Sequence, residues 1–142
     1  NAGIDRSNVR VGDHEFVLLL PENPDKSAAD LRSRIQDATG TQIGVQIIDS
    51  HGRAWRLGTV GISIGIAGLP GVVDFRGRPD MFGRRLEVTE IGAADELAAA
   101  ASLMMGQAGE GIPVVHVRGF PHAMRQGSLA EMIRPKAEDL FR

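Results

Sequence analysis

The residues best suited to chemistry are carboxylates at the edges of short apolar runs. Asp5 follows a glycine in the opening Asn-Ala-Gly-Ile-Asp stretch, and Asp49 follows the β-rich run 43–48, with Ser50 beside it. Two carboxylates on loop edges, joined by a hydroxyl, are hard oxygen donors of the kind that hold Mg²⁺ or Mn²⁺. Asp49 has a second reading, because an aspartate before Ser-His-Gly readily caps a turn with its own side chain.

A set of arginines comes next. Arg53, Arg56, Arg76, Arg78, Arg84 and Arg85 are spread over glycine-rich turns. Guanidinium forks recognise phosphate and carboxylate in bidentate fashion. The alternative is a solvated surface with ion pairs to Asp74, Asp80 and Glu87. Several chemistries are excluded. Gly61-x-x-x-Gly65 lacks the Lys-Ser/Thr of a phosphate-binding P-loop. Gly106-x-x-Gly109-x-Gly111 follows a helical pattern instead of a strand, so it is no dinucleotide fingerprint. Gly61-Ile62-Ser63-Ile64-Gly65 matches a hydrolase elbow in letters, but its alternating isoleucines read as a strand. The histidines, His14, His51, His116 and His122, are scattered, with no zinc-binding spacing.

The elements that must position these residues are mixed. Residues 16–20 read as a strand ended by Pro21. Pro24-Asp25-Lys26-Ser27 opens a helix, with Ser27 as N-cap, an apolar stripe of Ala28, Leu31, Ile35 and Ala38, and a stop at Thr39-Gly40. Residues 43–48 read as a strand and 49–52 as its turn. Residues 59–73 read as strand, turn at Gly68-Leu69-Pro70-Gly71, then a short extended piece. The polar stretch 74–85 reads as a long loop, 86–89 as a strand, and 93–105 as the firmest helix. Residues 97–105 are apolar all round, which predicts burial on most sides, in a domain centre or a subunit interface. Residues 112–117 read as a further strand, and 129–133 and 138–142 as helical turns. Without clean β/α alternation, the fold class is α+β: a mixed or antiparallel sheet with two main helices.

Composition bounds the rest. At 142 residues, 42% hydrophobic and 24% charged, the chain is one ordinary globular domain with a core of its own. Sixteen basic and eighteen acidic residues, net −2, argue against a dedicated nucleic-acid binder. No cysteine is present, which excludes disulfides and thiolate chemistry and fits a cytoplasmic location. No stretch is apolar enough for a membrane span. Glycine is in excess, 18 residues, and aromatics are only 4%. The Met-less start, without a basic leader, is expected of a piece of a longer chain.

Taken in order, eight stretches resemble one family. They are Asn1-Ala2-Gly3-Ile4-Asp5-Arg6-Ser7-Asn8, Leu19-Leu20-Pro21, Ile48-Asp49-Ser50-His51-Gly52-Arg53-Ala54-Trp55-Arg56, Gly65-Ile66-Ala67-Gly68, Asp74-Phe75-Arg76-Gly77, Ala94-Asp95-Glu96-Leu97-Ala98, Pro113-Val114-Val115-His116-Val117-Arg118-Gly119 and Asp139-Leu140-Phe141-Arg142. The chain resembles the coenzyme F420-0:L-glutamate ligases (F420-0:γ-glutamyl ligases) from end to end. The resemblance implies a GTP-dependent ligase that joins L-glutamate to a carboxylate of a deazaflavin precursor, with further glutamates γ-linked, through an acyl phosphate. It implies Mg²⁺ or Mn²⁺, with K⁺ as a further candidate cation. Carried over by motif, Asp5 and Asp49, helped by Ser50, would hold metal, with Glu110 a third candidate. Asn8, Arg53, Trp55, Arg76 and Arg118 are the candidates for nucleotide or substrate contacts, the arginines on chemistry more than on motif.

The resemblance further implies a homodimer, small-molecule partners (GTP, L-glutamate, coenzyme F420-0), and no nucleic acid or membrane. Family members are roughly twice this long, so the chain is expected to be the C-terminal part of a longer ligase. It departs from the family in Asp49-Ser50-His51-Gly52-Arg53, where Asp-Thr-Phe-Gly-Arg is usual, and in Ser63-Ile64-Gly65, where Ala-Ile-Gly is usual. The rival readings are a non-catalytic binding or dimerisation fragment and an unrelated metal-dependent hydrolase.

Overall fold

The computed structural model describes residues 4–139. The Asn-Ala-Gly of the opening motif and residues 140–142 of the expected last helical turn lie outside them. In chain order the elements are β1 (Ile4–Asp5), β2 (Arg10–Val11), β3 (His14–Glu15), β4 (Leu18–Leu19), α1 (Pro24–Thr39), β5 (Val45–Arg53), β6 (Arg56–Ala67), β7 (Val73–Asp74), β8 (Glu90–Ile91) and α2 (Ala93–Met105), then 3₁₀ turns at Leu129–Glu131 and Lys136–Glu138. The strands pair antiparallel as β1–β4, β2–β3, β5–β6 and β7–β8. The class is α+β, as the sequence predicts.

The long β5–β6 hairpin carries the fold. Its register runs from Val45 opposite Ala67 to Arg53 opposite Arg56, with irregularities after Ile47 and after Gly52. The expected turn at 49–52 is therefore strand, because those residues find partners at 59–62. The chain reverses instead at Ala54 and Trp55, where Trp55 takes φ 64°, a left-handed conformation that is unusual for a bulky side chain.

Both long helices pack on β6, and small residues let them approach. A Cβ on Gly61 would lie 2.6 Å from the Ser102 Cβ and 2.8 Å from the Ala98 carbonyl of α2. A Cβ on Gly65 would strike the Pro24 backbone of α1. Helix α1 is capped by Asn23, not Ser27. The Asn23 Oδ1 accepts from the Lys26 N–H at 2.9 Å, and Pro24 takes the first helical position, where its missing N–H costs nothing. Its stop at Gly40, φ 66°, is the predicted one.

The core is small: Ile66, Leu69 and Ala94, with Leu97, Phe120 and Met132 packed against them. Helix α2 has the predicted bounds, but it buries a stripe of Ala93, Ala94, Ala98 and Ser102, not most of its surface. Leu103 is 85% and Met104 66% exposed. Of the α1 stripe only Ala28 is buried, while Leu31 and Ile35 are exposed.

The stretch 74–85 is more ordered than a loop. It continues the β7–β8 ladder as an arm: Phe75 N–H donates to the Thr89 carbonyl at 2.9 Å, Gly77 to Leu86 at 2.8 Å, and Asp80 to Arg84 at 2.8 Å. The pairing strand is Glu90–Ile91, not 86–89. Residues 111–121 join no ladder among the described residues, so the expected strand 112–117 is not found.

Two carboxylates tie the tail of the chain down. Asp25 accepts from Ile66 N–H at 2.8 Å and from Leu129 N–H at 3.0 Å. Glu131 accepts from Gly71 and Val72 N–H at 3.2 and 3.3 Å and from both ends of the Arg125 fork at 2.7 Å.

Candidate functional site

Helix α2 ends at Gly106, φ 77°, and the chain turns at once into residues 107–110. Glu110 folds back so that its carboxyl fills the space a Cβ on Gly106 would need. Only glycine suits that place, for its φ and for the space. The Ala108 N–H donates to Glu110 Oε2 at 2.8 Å, and this bond is the main reason its carboxyl is held below the ordinary range.

That turn reaches two distant segments. The Asn8 amide donates to the Ala108 carbonyl at 2.7 Å. The Ser50 hydroxyl bonds the Gln107 side chain at 2.7 Å. Asn8 stands at φ 57°, a conformation that Asn tolerates better than most residues. Three segments far apart in sequence are thus stitched together: the 5–8 turn, the middle of β5, and the turn after α2.

Each carries one of the predicted carboxylates. Asp5 accepts from the Ser7 N–H at 2.7 Å, the largest of the effects that lower its pKa. Asp49 accepts from the Ser50 N–H at 2.8 Å, and its other oxygen lies 3.5 Å from His51 Nε2. So Asp5 and Asn8 on one segment, and Asp49 and Ser50 on another, each reach the turn that carries Glu110. Gln107 and the Ala108 carbonyl match no motif in the sequence. The glycines at 106, 109 and 111 were the available signal, since they mark a backbone bent for close approach.

The remaining candidates lie elsewhere. Arg53 and Trp55 sit at the tip of the β5–β6 hairpin, with Trp55 90% exposed. Arg76 is on the arm, and its guanidinium contacts Asp74 at 2.7 Å and Glu90 at 3.1 Å. Its bonds are the main cause of the lowered Asp74 pKa. Arg118 is exposed on the unladdered segment 111–121. Ser63, the centre of the elbow-like letters, is buried on β6, where a nucleophile would have no access.

No group of three or more His, Asp or Glu among the described residues is close enough to hold an ion. Mg²⁺ seldom needs such a cage, because one or two carboxylates with substrate phosphates suffice. The donor chemistry fits: every candidate is a hard oxygen. Glu110 also stands over the negative end of α2, whose last turn has no basic residue, so a cation there is electrostatically welcome.

A family profile described as F420-0:Gamma-glutamyl ligase matches residues 1–119. The chain belongs to that family. Its relatives include a protein named Coenzyme F420:L-glutamate ligase from Methanococcus maripaludis strain C6, 49% identical over 142 residues, all of this chain and 56% of the relative. Proteins of the same name from Archaeoglobus fulgidus and Methanocaldococcus jannaschii are 49% and 47% identical, again over the whole chain and 55% of their own length. The chain thus spans about half the length of the curated relatives it matches. The family assignment removes the reading as an unrelated hydrolase. Among the described residues no helix is long and apolar enough to cross a membrane.

Proposed function

We propose that this chain forms part of a GTP- and divalent-metal-dependent ligase that adds L-glutamate to coenzyme F420-0 and extends the product by γ-linkage. The observation that carries the reading is the stitched junction of Asn8, Ser50 and the 107–110 turn, in a chain of this family. In the proposed chemistry the acceptor carboxylate oxygen attacks the γ-phosphorus of GTP and GDP leaves. The glutamate nitrogen then attacks the acyl phosphate carbon, inorganic phosphate leaves, and the amine loses a proton to solvent or base.

Such transfers are mostly positioning and charge neutralisation, so no protein nucleophile is required. Asp5, Asp49, Ser50 and Glu110 would hold Mg²⁺ or Mn²⁺, which supplies charge neutralisation and alignment of the phosphates. K⁺ is a further candidate cation. Asn8 fixes the turn beside the carboxylates. Arg53, Trp55 and Arg118 are proposed for nucleotide or substrate contacts, and Arg76, which Asp74 and Glu90 already engage, for a nucleotide phosphate only. The reading includes a cytoplasmic homodimer that covers the exposed Leu103 and Met104 face of α2. A monomer by light scattering at micromolar concentration overturns the dimer.

The test is GDP release by the full-length protein carrying this chain, with GTP, Mn²⁺, L-glutamate and coenzyme F420-0. Turnover is expected, and none in Asp49→Asn, at an unchanged thermal midpoint. No GDP release from the parent protein sinks the ligase reading. Unchanged turnover in Asp49→Asn removes Asp49 as a ligand.

A further inference from the structure

We propose that Arg78, not Arg76, is the guanidinium this fold offers to the acceptor, and that it binds the free α-carboxylates of γ-linked glutamate. The proposal rests on the ligase reading above and names a substrate contact within it.

The two arginines stand two residues apart on the same arm, in opposite states. The Nε/Nη2 edge of Arg76 is engaged: Nε and Nη2 lie 2.9 and 2.7 Å from Asp74 oxygens, and Nη2 is 3.1 Å from Glu90. An incoming carboxylate would have to displace two others. The Arg78 guanidinium carbon instead sits 4.1 Å from the centroid of the Phe75 ring. Its side chain is exposed and forms no ion pair with a described carboxylate. Stacking uses the face of the guanidinium plane and leaves the in-plane N–H donors to a ligand.

The ring beneath it is fixed. Phe75 is laddered to Thr89 through its N–H. Its ring meets His122 edge-on at 6.0 Å, and His122 meets Phe120 at 5.3 Å. This aromatic cluster binds the arm to the segment that carries Arg118. Nearby negative charge is already engaged. Asp74 senses Arg78 but is held by Arg76. Asp80 spends Oδ1 on the N–H groups of Phe82 and Arg84, at 2.8 and 2.9 Å. The patch therefore holds an oriented fork in ion-pair contact with no described carboxylate.

The ligand class follows from charge and shape. A glutamate joined through its γ-carboxyl keeps its α-carboxylate, so each added unit carries one planar anion. A planar anion matches the fork in bidentate fashion.

The test titrates γ-linked triglutamate into the full-length protein and into Arg78→Gln, Arg78→Lys and Arg34→Gln, the last on the exposed side of α1. Arg78→Gln is expected to weaken binding about tenfold, the worth of one charge-assisted pair. Arg78→Lys, which keeps charge without the fork, should fall between it and the parent. Arg34→Gln should bind as the parent does. Affinity within twofold of the parent in Arg78→Gln, or an equal loss in Arg34→Gln, overturns the proposal. So does inorganic phosphate that competes as well as the triglutamate, since the site would then be one for phosphate. If Arg78→Gln does not fold, Arg78→Lys decides, and parental affinity there overturns the fork. Binding needs no GTP turnover. A protein that binds triglutamate but releases no GDP fails the ligase reading alone, whereas one that turns over with Arg78→Gln unaltered in binding fails this proposal alone.

Discussion

The β5–β6 hairpin and the segment 107–128 lie side by side, yet different forces hold them. The hairpin is fixed by close packing: Gly61 against Ser102 and Ala98, Gly65 against Pro24, and Ile66 in the core with Leu69 and Ala94. The segment has no ladder of its own. It is held by Asn8 and Ser50 at its start, by its own Arg125 bonded to Glu131 at its end, and by Phe120 against the core between them. The half with dense packing is scaffold. The half held mainly by polar pins carries Glu110 and Arg118. Interiors pack like crystals and tolerate little change, whereas exposed hydrogen bonds open at lower cost.

The largest effect is expected on the packed side. Gly61→Val places a branched side chain where a single Cβ already lies 2.6 Å from Ser102. Strand and helix must part, at about 3 kcal/mol. Urea unfolding measures it. A loss below about 1 kcal/mol would mean that α2 yields easily and that the contrast between the two regions is false.

What was legible in the sequence follows the same division. Helix α2 keeps its predicted bounds because alanine propensity and Gly106 act locally. The Gly40 stop and the turn at 129 are local too. Residues 49–52 carry the turn chemistry of Asp-Ser-His-Gly, but cross-strand pairing with 59–62 outweighs it. The β-branched run 112–117 reads as a strand, but a strand needs a partner, and none is found among the described residues. At the site, Asp5, Asp49, Ser50 and Glu110 could be named from motif. Their junction through Gln107 and Ala108 could not, since those bonds join residues 57 and 100 positions apart.

A middle-sized effect is expected where the polar segment is pinned most firmly. The Arg125 fork, then the Val72 and Gly71 N–H groups, hold the Glu131 carboxyl at about 2, below its ordinary 4.5. The folded value is the lower one. Its stabilisation is therefore complete above about 4.5 and is lost as pH falls toward 2. Glu131→Gln should cost about 1–2 kcal/mol at pH 7, allowing for screening of the half-exposed Arg125. It should also flatten the fall of stability between pH 5 and 2.5. Denaturant titrations across that range read both. An equally steep fall in the variant would place the acid sensitivity elsewhere.

The smallest effect sharpens the comparison most, because it separates the two regions directly. Asn8 holds the 107–110 turn through one exposed bond to Ala108. Alanine would confuse the result, since φ 57° strains any residue with a Cβ. Asn8→Gly keeps the backbone conformation and removes only the amide. Global stability should fall by about 0.5–1 kcal/mol. Hydrogen exchange should change unevenly. The Ala108 amide, bonded to Glu110 within the freed turn, should exchange severalfold faster. The β6 amides of residues 61–66, protected by ladder and helix packing, should hold their rates once the small global loss is subtracted. If β6 accelerates as much as Ala108, the two regions open as one unit, and the carboxylate junction is part of the scaffold instead of a surface pinned to it.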